Sequence, residues 1–454
     1  MNLIPRNSPN NYLAVRVQYT PNRLCRDVPP ERLYRDGIYT DVLREKPFKL
    51  EAMQNNCIYL DNNATTKVDP QVVEAMMPYL TDYYGNPSSM HTFGGQVASS
   101  MKVAREQVAS LLGADETELI FTSGGTEGDN AAIRSALLAQ PEKRHIITTQ
   151  VEHPAVLNVC KQLESQGYSV TYLGVNRQGQ LDLDELEASL TGNTALVTIM
   201  YANNETGVVF PIEQIGLRVK ERGALFHVDA VQAVGKIPLN MKTSTIDMLT
   251  MSGHKIHAPK GIGALYVRRG VRFRPMLIGG GQQRGRRGGT ENVAGLIALG
   301  KAAELELIHL EEATTREKRL RDRLEKTIIS TIPDCEVNGH PTQRLPNTTN
   351  IGFKYIEGEA ILLLLNQYGI CASSGSACSS GSLEPSHVLR SMGLPYTILH
   401  GSIRFSLCRY TTEAEIDQVL AVMPGIVERL RALSPFKSDE AGWLQEQEQA
   451  LAHR

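Results

Sequence analysis

Residues 371–382 read CASSGSACSSGS, with six serines, two glycines, two alanines and two cysteines. No side chain in the stretch is large enough to anchor it. A structural thiol is normally buried and inert, whereas a reactive one is exposed, often on a loop carried by a rigid scaffold. Cys378, in the middle of this stretch, is therefore a candidate nucleophile. A second set of reactive side chains recurs after apolar runs that read as strands. His153 stands in VEHPAV after HIITTQ, and Asn203 and Asn204 stand in NNETG after TIMYA. Asp229 follows ALFHV, with Gln232 three residues on, and Lys255 closes SGHK after MLTM. TSGGTEGDN follows ELIF and leads into a helix.

Taken singly, each has a structural explanation, because Asn and Asp cap helices and shape turns, and His and Lys are common on surfaces. Together they are more telling, because ligands of an open parallel sheet bind at the carboxyl ends of its strands. Groups at successive strand ends would converge on one pocket edge. The small-residue turn TSGGTEGDN would expose backbone N–H groups at a helix N-terminus, which suits a phosphate; it does not match the dinucleotide pattern G-x-G-x-x-G. A carboxylate, a lysine, a histidine and a phosphate cradle around one cleft point to pyridoxal phosphate. Its chemistry needs a lysine for the Schiff base and an acid to keep the pyridine nitrogen protonated. Lys255 and Asp229 are the residues expected in these roles.

The elements that must position these groups alternate along the chain. From Ile58 onward, apolar runs such as TALVTIMYA and IDMLTMSG alternate with amphipathic stretches such as QVASSMKVAREQVASLLGA and PIEQIGLRVKERG. This predicts an α/β fold with a mainly parallel sheet buried on both faces. The stretch LELIHLEEATTREKRLRDRLEKTIIS reads as a long amphipathic helix leading into a smaller α+β domain, with strands in NTTNIGFKY and GSIRFSLCR. AILLLLN (360–366) reads as a buried strand or helix turn. A capping box from Thr412 to Glu415 opens the last helix. The expected organisation is an N-terminal extension over 1–56 and a large cofactor-binding domain over 70–305. A small domain of 57–69 plus 306–434 carries the Cys378 loop, and a tail over 435–454 holds the sole tryptophan, Trp443. Residues 1–56 contain six prolines and little periodicity, and Met53 would be a natural alternative start.

Composition narrows the function further. A chain of 454 residues with 41% hydrophobic and 21% charged residues is an ordinary globular protein of two or three domains. A formal net charge of −2 leaves no footprint for nucleic acid or an anionic membrane. No apolar run reaches the length of a spanning helix, and the N-terminus lacks the apolar core of a secretory signal. Seven cysteines without a CxxC pair argue against a disulfide framework and against a zinc ribbon, so no metal and a reducing cytoplasmic setting are expected. Cys160, at helical spacing in AVLNVCKQLE, reads as structural, and Cys371 as a strand-end residue.

Nine motifs in order resemble the cysteine desulfurases: YLDNNATTKVDP, YGNPSSMHTFG, FTSGGTEGDN, TTQVEHPAVL, YANNETG, FHVDAVQAVGK, SGHKIHAPKGIGALYV, GGGQQRGRRGGTEN and SSGSACSSGSLEPSHVL. These are fold-type-I pyridoxal-phosphate enzymes of the class V aminotransferase group, and NNATTKVDP and RYTTEAEIDQVL are closest to the nitrogen-fixation type. The resemblance runs from about Ile58 to about Ser434. It implies that Lys255 holds the cofactor, Asp229 pairs with the pyridinium, Gln232 meets the ring hydroxyl and His153 stacks on the ring. Gly125, Thr126, Ser252 and His254 would hold the phosphate, and Thr290 would reach the phosphate of a partner subunit in a homodimer. Arg404 resembles the arginine that grips the substrate carboxylate, with Asn204 near cofactor and carboxylate. The loop cysteine, here Cys378, would take sulfur from L-cysteine as a persulfide, with His153 as a proton carrier, and pass it to an iron–sulfur scaffold protein, a nitrogenase-cluster scaffold being implied. Gln283 replaces a glutamate of many relatives and Ser379 a threonine. A selenocysteine lyase or an aminotransferase on the same fold are the alternatives, and a non-catalytic sulfur-carrier-binding scaffold is the alternative from another class. Such a scaffold would be expected to lack Lys255, Asp229 or Cys378, and all three are present.

Overall fold

The computed structural model describes residues 57–374 and 385–434. Cys378 and Ser379, the N-terminal extension with Met53, and the tail with Trp443 lie outside the described residues. In chain order the strands are β1 (Ile58–Tyr59), β2 (Leu119–Thr122), β3 (His145–Thr149), β4 (Ser169–Leu173), β5 (Thr194–Thr198) and β6 (Leu225–Asp229). They continue with β7 (Met248–Ser252), β8 (Gly263–Val267), β9 (Cys335–Val337), β10 (Thr348–Phe353), β11 (Ile370–Cys371) and β12 (Ser402–Ser406).

Strands β2 to β8 form one seven-stranded sheet in the order β2-β8-β7-β6-β5-β3-β4. Only β8 runs against its neighbours, so the expected mainly parallel sheet is present. Apart from the edge strand β4, its strands are almost wholly buried because both faces are covered. Leu119, Phe121, Leu249, Met251 and Tyr266 enter the core on one face, and Ile120, Met248, Leu265 and Val267 enter a second core on the other. Neighbouring residues thus point to opposite faces, as the pleat requires. Each fully buried large apolar side chain contributes roughly 1.5–3 kcal/mol.

Glycines allow two close approaches that shape the site. A Cβ on Gly128 would lie 2.6 Å from Thr250 Cγ2, so glycine lets the helix Gly125–Ala139 settle onto β7. A Cβ on Gly263 would lie 2.6 Å from Met251 O and 2.8 Å from Gly124 Cα, so β8 can pass directly under the start of that helix.

The helix read over 305–330 begins earlier, at Val293. It runs to Glu312, passes through a π-helical turn at Ala313–Glu317 and continues as Lys318–Thr331. Its first half escaped the periodicity reading because it is apolar on nearly every side; Ala294, Leu296, Ala298, Leu299, Ala302 and Ala303 are all buried. The AILLLLN run is helical, within Gly358–Gln367, with Ile361, Leu364 and Leu365 buried and Leu363 exposed. The capping box is formed: Glu415 N donates to Thr412 Oγ1 at 3.2 Å, and Thr412 N donates to Glu415 Oε2 at 2.6 Å.

A second, antiparallel sheet has the order β12-β10-β9, and β1 pairs in parallel with β11. Among the described residues no helix is long and apolar enough to cross a membrane, and no group of three or more His, Cys, Asp or Glu side chains could hold a metal ion.

Candidate active site

A cleft of about 420 Å³ opens at the carboxyl ends of the sheet strands, a volume within the range of small-molecule sites. The turn after β2 supplies Gly125 and Thr126 to its wall, the turn after β3 supplies His153, and the loop after β5 supplies Asn204. Asp229 at the end of β6 joins Gln232, and Ser252, His254 and Lys255 follow along β7 and its turn. Arg404 enters from β12 of the second sheet. Thr290 is exposed and does not line this cleft; its expected target is a partner's phosphate. Asn203, paired with Asn204 in the sequence, plays a different part. Its Oδ1 accepts from the backbone N–H groups of Glu205 (2.9 Å) and Thr206 (3.0 Å), so it builds the turn.

Two backbone carbonyls organise the lysine end of the cleft. Lys255 Nζ donates to Ala64 O at 2.7 Å and to Asn63 O at 2.5 Å. Gln232 Nε2 donates to the same Asn63 carbonyl at 3.0 Å, and its Oε1 accepts from the buried Lys236 Nζ at 3.1 Å. The segment 63–64 and both side chains are thereby set relative to one another.

The acids around the cleft are largely buried, and burial disfavours their charged forms. It raises Asp229, against the opposing pull of His153 and Lys255, and raises Asp129 further, with the Asp229 charge adding to the effect. Asp229 Oδ1 accepts from Val231 N at 2.9 Å. His153 is pushed down by burial, and its Nδ1 accepts from Ala155 N at 3.1 Å at the start of the helix Pro154–Glu164. A neutral ring that accepts at Nδ1 carries its proton on Nε2.

Glu152, next to His153, is fully buried, and burial pushes it up to about 8 from an ordinary 4.5. Its Oε1 accepts from Thr149 Oγ1 (2.7 Å) and Met200 N (3.0 Å), while Oε2 has no partner among the described residues. Between those two values the folded protein keeps a proton that the unfolded chain has released. The resulting stabilisation is complete below the lower value and is lost as pH rises through the upper one, at a slope of at most about 1.4 kcal/mol per pH unit. Glu152→Gln keeps an accepting oxygen and removes the titration. Its melting temperature, measured from about pH 5 to about pH 8, is expected to fall less than that of the unsubstituted protein; parallel curves would remove Glu152 as the cause.

The residues present fit pyridoxal phosphate. Gly125 offers a cradle that a Cβ would close, at 2.9 Å from Val231 Cγ2, at the N-terminus of its helix. Glu127 in the first turn would repel a phosphate, but its carboxylate is bound by Arg287 at 2.9 and 3.1 Å and caps Ser123 N at 2.8 Å. Asp229 is a buried carboxyl whose charge a pyridinium would compensate. Arg404 is 2% exposed. Its Nη2 donates to Asp61 Oδ1 at 2.7 Å and its Nη1 to Asn204 O at 2.9 Å, while its buried Nε has no hydrogen-bond partner among the described residues.

Several contributors escaped the sequence reading. Asn63 and Ala64 contribute through backbone oxygens, which carry no sequence signal. Asp129 lines the cleft four residues after Gly125, so helical spacing could have found it. Gln283 is structural. Its Oε1 accepts from Arg105 Nη2 (3.0 Å) and Phe121 N (2.9 Å), and its Nε2 donates to Glu291 Oε2 at 2.8 Å. A glutamate there would set two carboxylates against each other.

Residues 58–419 match the family model described as aminotransferase class-V. The chain is 85% identical over 397 residues to a protein named cysteine desulfurase from Trichormus azollae, covering 87% of this chain and 99% of that one. It is 58% identical over 382 residues to the cysteine desulfurase NifS of Azotobacter vinelandii, covering 84% and 95%. Among solved structures, a NifS-like protein superposes with a TM-score of 0.78 at 39% identity, covering 83% of this chain and all of that one. The chain belongs to the class-V aminotransferase family and, within it, to the cysteine desulfurases of the NifS type.

Proposed function

We propose that this chain takes the sulfur of L-cysteine, releases L-alanine and holds the sulfur as a persulfide on Cys378 for transfer to an iron–sulfur scaffold protein. The observation that carries this reading is the meeting of Lys255, Asp229 and Arg404 on one cleft at the strand ends. Pyridoxal phosphate, when bound, supplies the electron sink for chemistry at the substrate Cα and Cβ. Gly125, Thr126, Ser252 and His254 would hold its phosphate, Asp229 its ring nitrogen, Gln232 its ring hydroxyl and His153 its face. Lys255 Nζ is the amine that would hold its aldehyde and then move the Cα proton. Arg404 binds the substrate carboxylate beside Asn204.

Cys378 then attacks the substrate sulfur as a thiolate. An S–S bond forms and the Cβ–S bond breaks; its electron pair stays with Cβ, which takes up a proton to give alanine. The ends of the segment carrying Cys378 support this role. Ser373 exchanges backbone hydrogen bonds with Arg404 at 3.2 and 2.6 Å. Beyond the segment, Ser386 Oγ donates to the buried Glu205 Oε2 at 2.5 Å, and His387 Nε2 pairs with the backbone oxygen of Glu152 at 2.9 Å.

The division into a large domain over 70–305 and a small one over 57–69 plus 306–434 belongs to the same proposal. So does a homodimer in which Thr290 completes the partner's phosphate site, which the exposed apolar side chains Tyr84, Met90 and Ile278 support. A cytoplasmic setting, argued from the cysteine usage, and a scaffold serving nitrogenase, argued from the likeness to NifS, belong to the same proposal.

The function is tested by incubating the holoenzyme with L-cysteine and dithiothreitol, without a 2-oxo acid. Equal amounts of alanine and sulfide are expected. Turnover only with a 2-oxo acid would make the protein an aminotransferase, and turnover confined to L-selenocysteine a lyase. No turnover of any of these would leave the scaffold reading.

A further inference from the structure

Cys57 and Cys371 meet outside the cleft, on the small parallel pair of β1 and β11. Their Sγ atoms are 3.3 Å apart, with Cys57 exposed and Cys371 half-buried. Tyr59 is the register partner of Cys371, while Ile58 N donates to Gly369 O at 2.9 Å and Leu60 N to Cys371 O at 2.8 Å. The two thiols therefore face each other diagonally across the pair. Both strands run directly into the site. Two residues beyond Tyr59, Asp61 holds Arg404 Nη2 at 2.7 Å. Two residues beyond Cys371, Ser373 bonds the Arg404 backbone in both directions.

We propose that Cys57 and Cys371 form a reversible disulfide site, closed by small disulfides of the oxidised-glutathione class, which covalently ties the two strands framing Arg404. Cys57 reacts first because it is the exposed partner. Its thiolate attacks one sulfur of the small disulfide, forming a mixed disulfide and expelling one small thiol. Burial, together with the hydrogen bond shared with Cys57, pushes the Cys371 thiol up to about 12, so Cys371 stays protonated during this first step. Once Cys57 has been capped, Cys371 loses its proton and attacks Cys57 Sγ. The protein disulfide forms and the second small thiol leaves. Two protein thiols are oxidised by two electrons, and one small disulfide is reduced to two thiols.

A disulfide spans about 2.05 Å between sulfurs, so the strands must draw the two atoms together by a little over one ångström. A diagonal, exposed bond of this kind is readily reduced. That suits a reversible modification rather than a permanent staple.

The test uses the full-length Cys378→Ser protein, so that the tryptic peptide 355–390 contains Cys371 as its single thiol, while Cys57 lies alone in peptide 50–67. The protein is incubated with oxidised glutathione, capped with N-ethylmaleimide and digested without reductant. Mass spectrometry is expected to find the two peptides joined in most of the protein and separated again by dithiothreitol. In the Cys57→Ser, Cys378→Ser protein the joined species should be absent. Finding both cysteines capped by N-ethylmaleimide would overturn the proposal. So would a glutathione retained on Cys57 beside a capped Cys371, because the neighbouring thiol would then have failed to resolve it.

Discussion

Replacing Lys255 with alanine is expected to reduce L-cysteine turnover by about 10³-fold, within the range of lost acid–base catalysis. The folded state should survive, because Lys255 is only half-buried and its ammonium donates to two backbone oxygens. Those oxygens belong to Asn63 and Ala64, and Asn63 O retains the Gln232 amide when the lysine is removed. The loss should therefore appear in kcat with an unchanged melting curve. The cofactor absorbance should also change character, since the amine proposed to hold the aldehyde is gone. A variant that keeps turnover within a few-fold of the original would remove Lys255 from the centre of the mechanism.

Arg404→Lys is expected to raise the KM for L-cysteine far more than it lowers kcat. Arginine presents a planar fork that fits a carboxylate, whereas lysine presents a point charge. Two arms of the fork already have protein partners, Asp61 and the Asn204 carbonyl, and Nε has none among the described residues although it is buried on the cleft. A charge-assisted hydrogen bond contributes about 1.5–3 kcal/mol, so its loss should cost roughly 10- to 150-fold in KM. Arg404→Met should in addition destabilise the fold, because it leaves the partly buried Asp61 carboxylate without its partner. The lysine variant separates the two effects. A normal KM with a depressed kcat would show that Arg404 does not grip the carboxylate.

Much of this architecture was legible in the chain because parallel strands covered on both faces leave an apolar signature. TALVT, MLTMS and GALYV each became a wholly buried strand. The candidate site was legible where side chains line it. His153, Asp229 and Lys255 each follow a strand, and the sheet brings them to one cleft. What stayed hidden acts through the backbone or through long-range pairing. The Asn63 carbonyl that gathers Lys255 and Gln232 has no residue type to announce it. Asp61 could not be matched to Arg404 from a distance of 343 residues. The first half of the Val293–Glu312 helix was missed because a helix buried on almost all sides loses the periodicity that reveals helices. Cys57 and Cys371 looked unrelated in sequence, and only the β1–β11 pairing shows them as neighbours.

The most direct measurement is mass spectrometry of the Cys378 peptide after brief exposure of the holoenzyme to L-cysteine, beside a Cys378→Ala control. One added sulfur on Cys378, with alanine released, is the predicted result, and the control should gain none. Alanine released with Cys378 unmodified, or a control that forms alanine at the original rate, would contradict a mechanism in which this cysteine takes the sulfur.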